Sequence, residues 1–479
     1  SVISPSLLSL INIFSKKYQN VNHVMYDSVP YDGILDANLE SFGQRIVPDY
    51  HFDKADVIVS FGADFIGNWL SQDYSNDYIA GRNPKSGKMS RHFQIETNMS
   101  LTGANADKRI QIKPSEQAYL ISNLFKALNG STKIDERIKG VYENLKKSKS
   151  SIVVTDSQRK DVQLLVNAIN YQLGNYKTTI DIKNPCFLKK GNSNDLSSLI
   201  EDMNNGDVQI LITSGVNPIY NLERSKDFRS GLKKVDTFIS CSLYNDETSS
   251  LADYLCPLHH NLESWGDANP SLNTYTLMQP TIAPLFNTRQ LETNLLSWAG
   301  ENKDFHKYLK NYWINKGMDW NKALHDGYFK FNQSVKVSNY KKSNLRNFEK
   351  VDESRLELCL YEKIGLGDGT LANNPWLQEF PDPITRTTWD NYITISAATA
   401  RKHGLMNKTV ANGALNGSLV TVSAGDIVLK NIPVIIQPGQ ANGTVGIALG
   451  YGREKSGKVG NNLGFNAFPL ISKKFVNIS

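Results

Sequence analysis

The sequence predicts an α/β chain in which two parallel-sheet α/β domains are followed by a C-terminal β-barrel domain. Three observations predict it. A near-continuous run of β-branched and apolar residues at 56–62, closed by Gly62, reads as a strand buried on both faces of a parallel sheet. The same pattern returns at 207–215 and runs into Val216, Asn217 and Pro218. Beyond residue 386 the segments 392–395 and 419–422 alternate at period two. Gly413, Gly417, Gly425, Gly439, Gly443 and Gly446 punctuate them, the pattern of a small closed β domain.

The remaining elements fall between these marks. Apolar runs at 7–14 and 21–26 precede the first strand, and 117–128 carries apolar residues at helical spacing. Residues 151–155 read as a strand, and 163–173 as a helix stopped by Gly174. Next come a strand at 235–243, a helix with an acidic first turn at 246–254 and a strand at 254–258, together a β-α-β crossover. From 302 to 355 Trp313, Trp320, Tyr328 and Phe331 are interleaved with charges, which reads as a helical connector with rings inward and ammonium groups outward. Residues 397–403 read as one short helix capped by Gly404. No period of 20 to 50 residues recurs, which excludes solenoids and propellers. The resulting division is 1–145, 146–300, 301–385 and 386–479.

Composition narrows the function. With 40% hydrophobic and 21% charged residues over 479 positions, disorder is excluded, and a net charge of +6 is too weak a field to argue for nucleic acid. The apolar stretches are shorter than the roughly 20 residues that span a bilayer, so membrane association must come through partners. Cysteines at 186, 241, 256 and 359 form no Cys-x-x-Cys clip, so no iron–sulfur cluster is drawn inside this chain, and buried thiols are favoured over a Cys241–Cys256 disulfide. The chain opens on Ser1 with no charged stretch before an apolar run, which reads as a cut end.

Glycines 62 and 215 both stand where a parallel strand ends, the place where open α/β sheets bind ligands. Neither turn is a phosphate loop, and Lys85-Ser86-Gly87-Lys88 lacks a preceding strand. His259 and His260 point to opposite faces of an extended segment and read as hydrogen-bonded structural residues. Gly365, Gly367 and Gly369 read as a hinge. No Gly-x-Ser-x-Gly is present. Residues alone assemble no catalytic constellation.

Read in order, these turns resemble the molybdopterin oxidoreductase superfamily. The carriers are Gly62-Ala63-Asp64 and Gly215-Val216-Asn217-Pro218 at strand ends, then Glu96-Thr97-Asn98, Thr102-Gly103, Ala106-Asp107 and Lys113-Pro114-Ser115-Glu116-Gln117 in the family's spacing. Ala252-Asp253-Tyr254-Leu255-Cys256-Pro257, Glu263-Ser264-Trp265-Gly266 and the segment 400–405 follow. The resemblance implies that the closing barrel is of the double-psi type. Within the superfamily the chain is most similar to the B subunit of bacterial alternative complex III, above all in 374–385 and Trp389-Asp390-Asn391. That implies a respiratory assembly oxidising membrane quinol and passing electrons through iron–sulfur clusters and haem c to a cytochrome or terminal oxidase. It also implies a place on the periplasmic face of the cytoplasmic membrane. The expected partners are an iron–sulfur domain, haem c subunits and integral membrane quinol-binding subunits.

The departures from the family shape the expectation for this chain. Catalytic relatives carry a metal ligand about thirty residues before the first turn, which falls here near Val29-Pro30-Tyr31; Ser28 and Asp32 are the nearest ligand-bearing side chains. The family's arginine is replaced at Asn98, and its Gly-Thr-Asp turn is Ser115-Glu116-Gln117. Glu96 and Glu116 add negative charge where a pyrophosphate would sit. The expectation is a non-catalytic scaffold with no catalytic, cofactor-binding or metal residues and no molybdopterin of its own. Two rivals stand beside it: an active molybdenum or tungsten pterin oxidoreductase with atypical ligands, Asp32 on the metal, and an unrelated α/β protein binding a small nucleotide at the two glycine turns.

Overall fold

A computed structural model describes residues 2–301, 303–351 and 354–479. Two compact units divide the chain: Ser1–Tyr31, Ile46–Pro48 and Lys183–Lys336 form one, and Asp32–Arg45, Asp49–Ile182 and Val337–Ser479 the other.

In the second unit four parallel strands stand in the order Lys108–Gln111, Arg91–Glu96, Val57–Phe61, Ser151–Thr155. Every side chain of Val57–Phe61 is buried, as its continuous apolar run requires of a strand covered on both faces. Helices Pro114–Leu128 and Lys160–Gln172 contribute Leu120, Leu124, Val162 and Ile169 to the core against Val59 and Phe93. Asp32–Phe42 packs on Lys160–Gln172 through a buried polar contact, Asn167 donating to Asn38 at 2.9 Å and Ser41 at 3.2 Å. Gly174, with φ +75°, ends the latter helix where the sequence places the stop.

The same unit carries a closed six-stranded barrel: Leu356–Glu362, Thr444–Leu449, Ile393–Ile395, Ile427–Ile436, Leu419–Ala424 and Phe475–Ile478. Two of its pairings are parallel, Leu356–Glu362 with Thr444–Leu449 and Ile393–Ile395 with Ile427–Ile436. The barrel expected from the glycine-punctuated alternation is present, and its opening strand lies upstream of that alternation. The short helix Ala397–Lys402 sits between two barrel strands, followed by Gly404 at φ +66°.

In the first unit Ile210–Ser214, Thr237–Ser242 and Tyr254–Pro257 form a parallel three-stranded sheet. Ile210–Ser214 is less buried than its apolar run predicts, Ile210 itself being exposed. The crossover between the last two strands contains no α-helix. The predicted helix at 246–254 shrinks to one turn, Ser249–Leu251, because the Asp246 carboxylate accepts from the backbone of Thr248 and Ser249. Asp253 then accepts from Phe238 N–H, drawing the chain straight into the next strand. Cys241 and Cys256 are register partners as free thiols.

Of the expected connector, Phe305–Ile314 and Trp320–Asp326 are helices, and the described residues of 331–355 form neither helix nor strand; 302, 352 and 353 lie outside the described residues. That stretch is rich in Lys, Asn and Ser and lacks an apolar stripe. The rings do turn inward: Trp313 packs on Tyr275, Phe329 and Phe331, and its indole N–H donates to Asp267 at 2.8 Å. Asp267 also accepts from Ser6, at 2.8 Å from its hydroxyl and 3.2 Å from its backbone. Trp313→Phe is expected to lower stability by about 2 kcal/mol by removing a buried donor from a buried carboxylate, read as a shift in the denaturant midpoint at constant slope. A change under half of that would show that the hydroxyls of Ser4 and Ser6, both of which donate to Asp267, suffice.

Candidate functional site

The carboxyl ends of the second unit's parallel strands converge with the barrel strand Leu356–Glu362 in one polar cluster. The turn after Val57–Phe61 places Gly62 at φ +79°, its N–H on Ile95 O, and a Cβ there would lie 2.5 Å from Asp156 Cγ. Only glycine tolerates both the dihedral and the close carboxylate. Gln117 holds Asp156 at 2.7 Å and donates to Phe61 O at 3.1 Å. Asp156 keeps a solvent-facing side, but the surrounding protein pushes its carboxyl up to about 6, with the charge of Glu96 adding to the effect.

Asp64, two residues on, accepts from Thr102 N–H at 2.9 Å and its hydroxyl at 2.7 Å; burial pushes its carboxyl above the ordinary range. Glu96, 4% exposed, accepts from Gln94 at 3.0 Å, the Ser100 backbone and hydroxyl at 3.2 and 2.6 Å, and Arg109 Nε at 2.5 Å. A Cβ on Gly103 would collide with Glu96 Oε1. Glu96 thus has both oxygens engaged by donors from its own neighbourhood, Asp64 accepts twice from Thr102, and Asp156 accepts from Gln117.

The N-terminus of Pro114–Leu128 is the natural anion seat of this region, since its first N–H groups lack intrahelical partners. Glu357 from the barrel occupies it, its two oxygens accepting from Ser115 N–H and hydroxyl at 2.8 Å each. Glu116 closes the turn by accepting from Lys113 N–H at 2.9 Å and pairing with Arg137 at 2.8 Å. Burial pushes the Cys359 thiol, on the same barrel strand, up to about 12, and Asp156 and Glu96 add negative charge. Among the described residues of this cluster, the buried side-chain atoms without a partner are Arg109 Nη2 and both amide atoms of Asn98, which is packed against Gly446.

The other sequence landmarks are engaged as well. Asp32 begins the helix Asp32–Phe42 and pairs with Arg45 at 2.5 Å, Arg45 also holding Asp36 at 2.7 Å. In the first unit Gly215 adopts φ +63°, and Asn217 is locked by donating to Glu247 at 2.7 Å while accepting from Thr248. His259 bonds Thr288, His260 accepts from Leu262 N–H at 3.2 Å, and Glu263 accepts from His260 N–H at 2.9 Å. Asn374 caps Pro375–Glu379 in the segment most similar to the alternative complex III subunit, leaving Trp376 81% exposed. Sequence reading found Glu96 and Glu116 but missed Asp156 and Glu357. Glu357 acts on Ser115 from 242 residues away, which no local pattern announces.

No family model matches this chain, and no curated protein matches it in sequence. Among solved structures, acetylene hydratase from Pelobacter acetylenicus matches with a TM-score of 0.70 and 13% identity, over 94% of this chain and 81% of that one. The formyltransferase/hydrolase complex from Methylorubrum extorquens in complex with methylofuran matches with a TM-score of 0.41 and 10% identity, over 62% of this chain and 88% of that one. At 13% identity the first likeness concerns fold alone: this chain shares the fold of acetylene hydratase.

Proposed function

We propose that this chain is a non-catalytic scaffold of a respiratory quinol-oxidising assembly of the alternative complex III kind. It supports electron transfer from membrane quinol through iron–sulfur and haem c subunits to a cytochrome or terminal oxidase. In this reading the barrel is of the double-psi type, the assembly lies on the periplasmic face, and the chain is held there by its partners.

One observation carries the reading: the helix N-terminus at Ser115, the donors of Ser100 and Thr102, and Arg109 Nε are taken by the chain's own carboxylates, which leaves only Arg109 Nη2 and the Asn98 amide as buried partnerless side-chain donors among the described residues of the cluster. A pyranopterin dinucleotide brings a pyrophosphate, which needs backbone N–H groups and cations. Here Glu357 sits on the helix N-terminus, Glu96 on Arg109 and Ser100, Asp64 on Thr102, and Asp156 on Gln117 beside the Gly62 turn. An anion entering this cluster meets a carboxylate at each of these four places, and one arginine nitrogen and one amide left over do not make a seat for a pyrophosphate, so the residues do not fit the group. No step of chemistry is therefore routed through it. The exposed Leu371, Trp376 and Phe380 suit a partner-facing role, since large apolar side chains at the surface mark contact sites.

Metal analysis of the assembly isolated through a tag on this chain is the test. The expected preparation contains iron and haem absorption, no stoichiometric molybdenum or tungsten, and loses the haem subunits on Trp376→Ala while the chain stays folded. Stoichiometric molybdenum or tungsten would overturn the scaffold reading in favour of an active pterin enzyme, and isolation without haem or iron would overturn the assembly.

A further inference from the structure

A second polar cluster of the second unit gathers around the turn that precedes the strand Val57–Phe61 and belongs to no motif. His51 follows directly on the strand Val47–Tyr50, and Asp53 lies in the single turn Phe52–Lys54. Asp77 comes from the helix Asp73–Ala80, which is pinned to that turn by the rings of Phe52 and Tyr74. His51 N–H donates to Thr179 O at 2.8 Å, and Lys88 donates to the backbone carbonyl of Asp53, so the turn is fixed from both sides.

We propose that His51, Asp53 and Asp77 form a binding site for a divalent transition metal of the zinc type. One ligand atom from each of the three lies within 4.8 Å of the other two, the separation a single ion needs to gather them with little movement. An independent observation points the same way: Oδ1 of Asp53 is fully buried and accepts no hydrogen bond. A carboxylate oxygen withdrawn from water and left without a donor is costly, and a cation is the partner that would satisfy it.

Charge supports this assignment. Asp77 interacts electrostatically with Asp53, Asp49 and Asp73 as well as His51, and Asp49 with Asp181, His51 and Lys54. Carboxylates outnumber the cations facing them, so the apo cluster repels itself and a bound dication relieves it. An imidazole nitrogen beside two carboxylates selects zinc, manganese or iron(II) over the oxygen-seeking magnesium and calcium, and three protein ligands leave a position for water.

The full chain, stripped with chelator and dialysed against zinc chloride, is expected to retain one zinc and to melt at a higher temperature than the apo protein. His51→Ala and Asp77→Asn should each weaken retention by at least about tenfold. Asp77→Asn also removes a repelling charge, so its apo melting temperature should stay equal to or above that of the unmodified chain, which separates lost ligation from lost folding. Cobalt(II) in place of zinc should give visible absorption that disappears in His51→Ala. No zinc retained by the unmodified chain, or retention unchanged in both variants, would overturn the site.

Discussion

Replacing Glu96 by alanine is expected to destabilise the chain by about 3–5 kcal/mol, the cost of removing one member of a buried, hydrogen-bonded ion pair. Glu96 accepts from Gln94, from the backbone and hydroxyl of Ser100, and from Arg109. Its loss leaves an Arg109 side chain that is 13% exposed, with Nη1 on Gly439 O and Nη2 already without a partner. Glu96→Gln keeps the volume and an acceptor and should lose only part of this. The measurement is denaturant unfolding, with a shifted midpoint and an unchanged slope for both variants. A loss under about 1 kcal/mol for alanine would mean that the cluster is a loosely held surface group rather than the knot joining strand, helix start and barrel, and would remove the physical basis for a pocket closed by its own side chains.

Local chemistry made the strands legible and hid the site. Val57–Phe61 and Ser151–Thr155 are written as continuous β-branched runs, and Gly62 and Gly174 mark their own turns through positive φ. The helix expected at 246–254 had the right acidic start, but Asp246 and Asp253 spend their carboxylates on a single turn and on a neighbouring strand. Leu356–Glu362 closes the barrel through parallel pairing with Thr444–Leu449, a partner far along the chain. Glu357 on Ser115, Asp156 over Gly62 and the trio His51, Asp53, Asp77 are likewise products of topology. Each residue is unremarked in its own window and acquires a role only when distant strands meet.

His92 gives that cluster's neighbourhood a pH dependence. The side chain is fully buried, its Nδ1 3.1 Å from the Tyr78 hydroxyl and its Nε2 3.3 Å from Gln94 Oε1, with the Phe65 ring against it. Burial lowers its pKa from 6.5 to about 4; Arg82 opposes the protonated form and Asp107 favours it, both more weakly than burial acts. In the unfolded chain the imidazole takes up a proton near pH 6.5, whereas the folded chain resists until about pH 4, so the unfolded state binds more protons throughout that window. Stability from this group is therefore fully present above pH 6.5 and is lost as the pH falls toward 4, by up to about 3 kcal/mol at 1.36 kcal/mol per unit. His92→Gln, which cannot titrate, should flatten that part of the stability curve while other carboxylates still shape the rest. Parallel curves for the two proteins between pH 6.5 and 4 would show that the core admits the imidazolium, and that Gln94, which links His92 to Glu96, lies in a wetter environment than this packing requires.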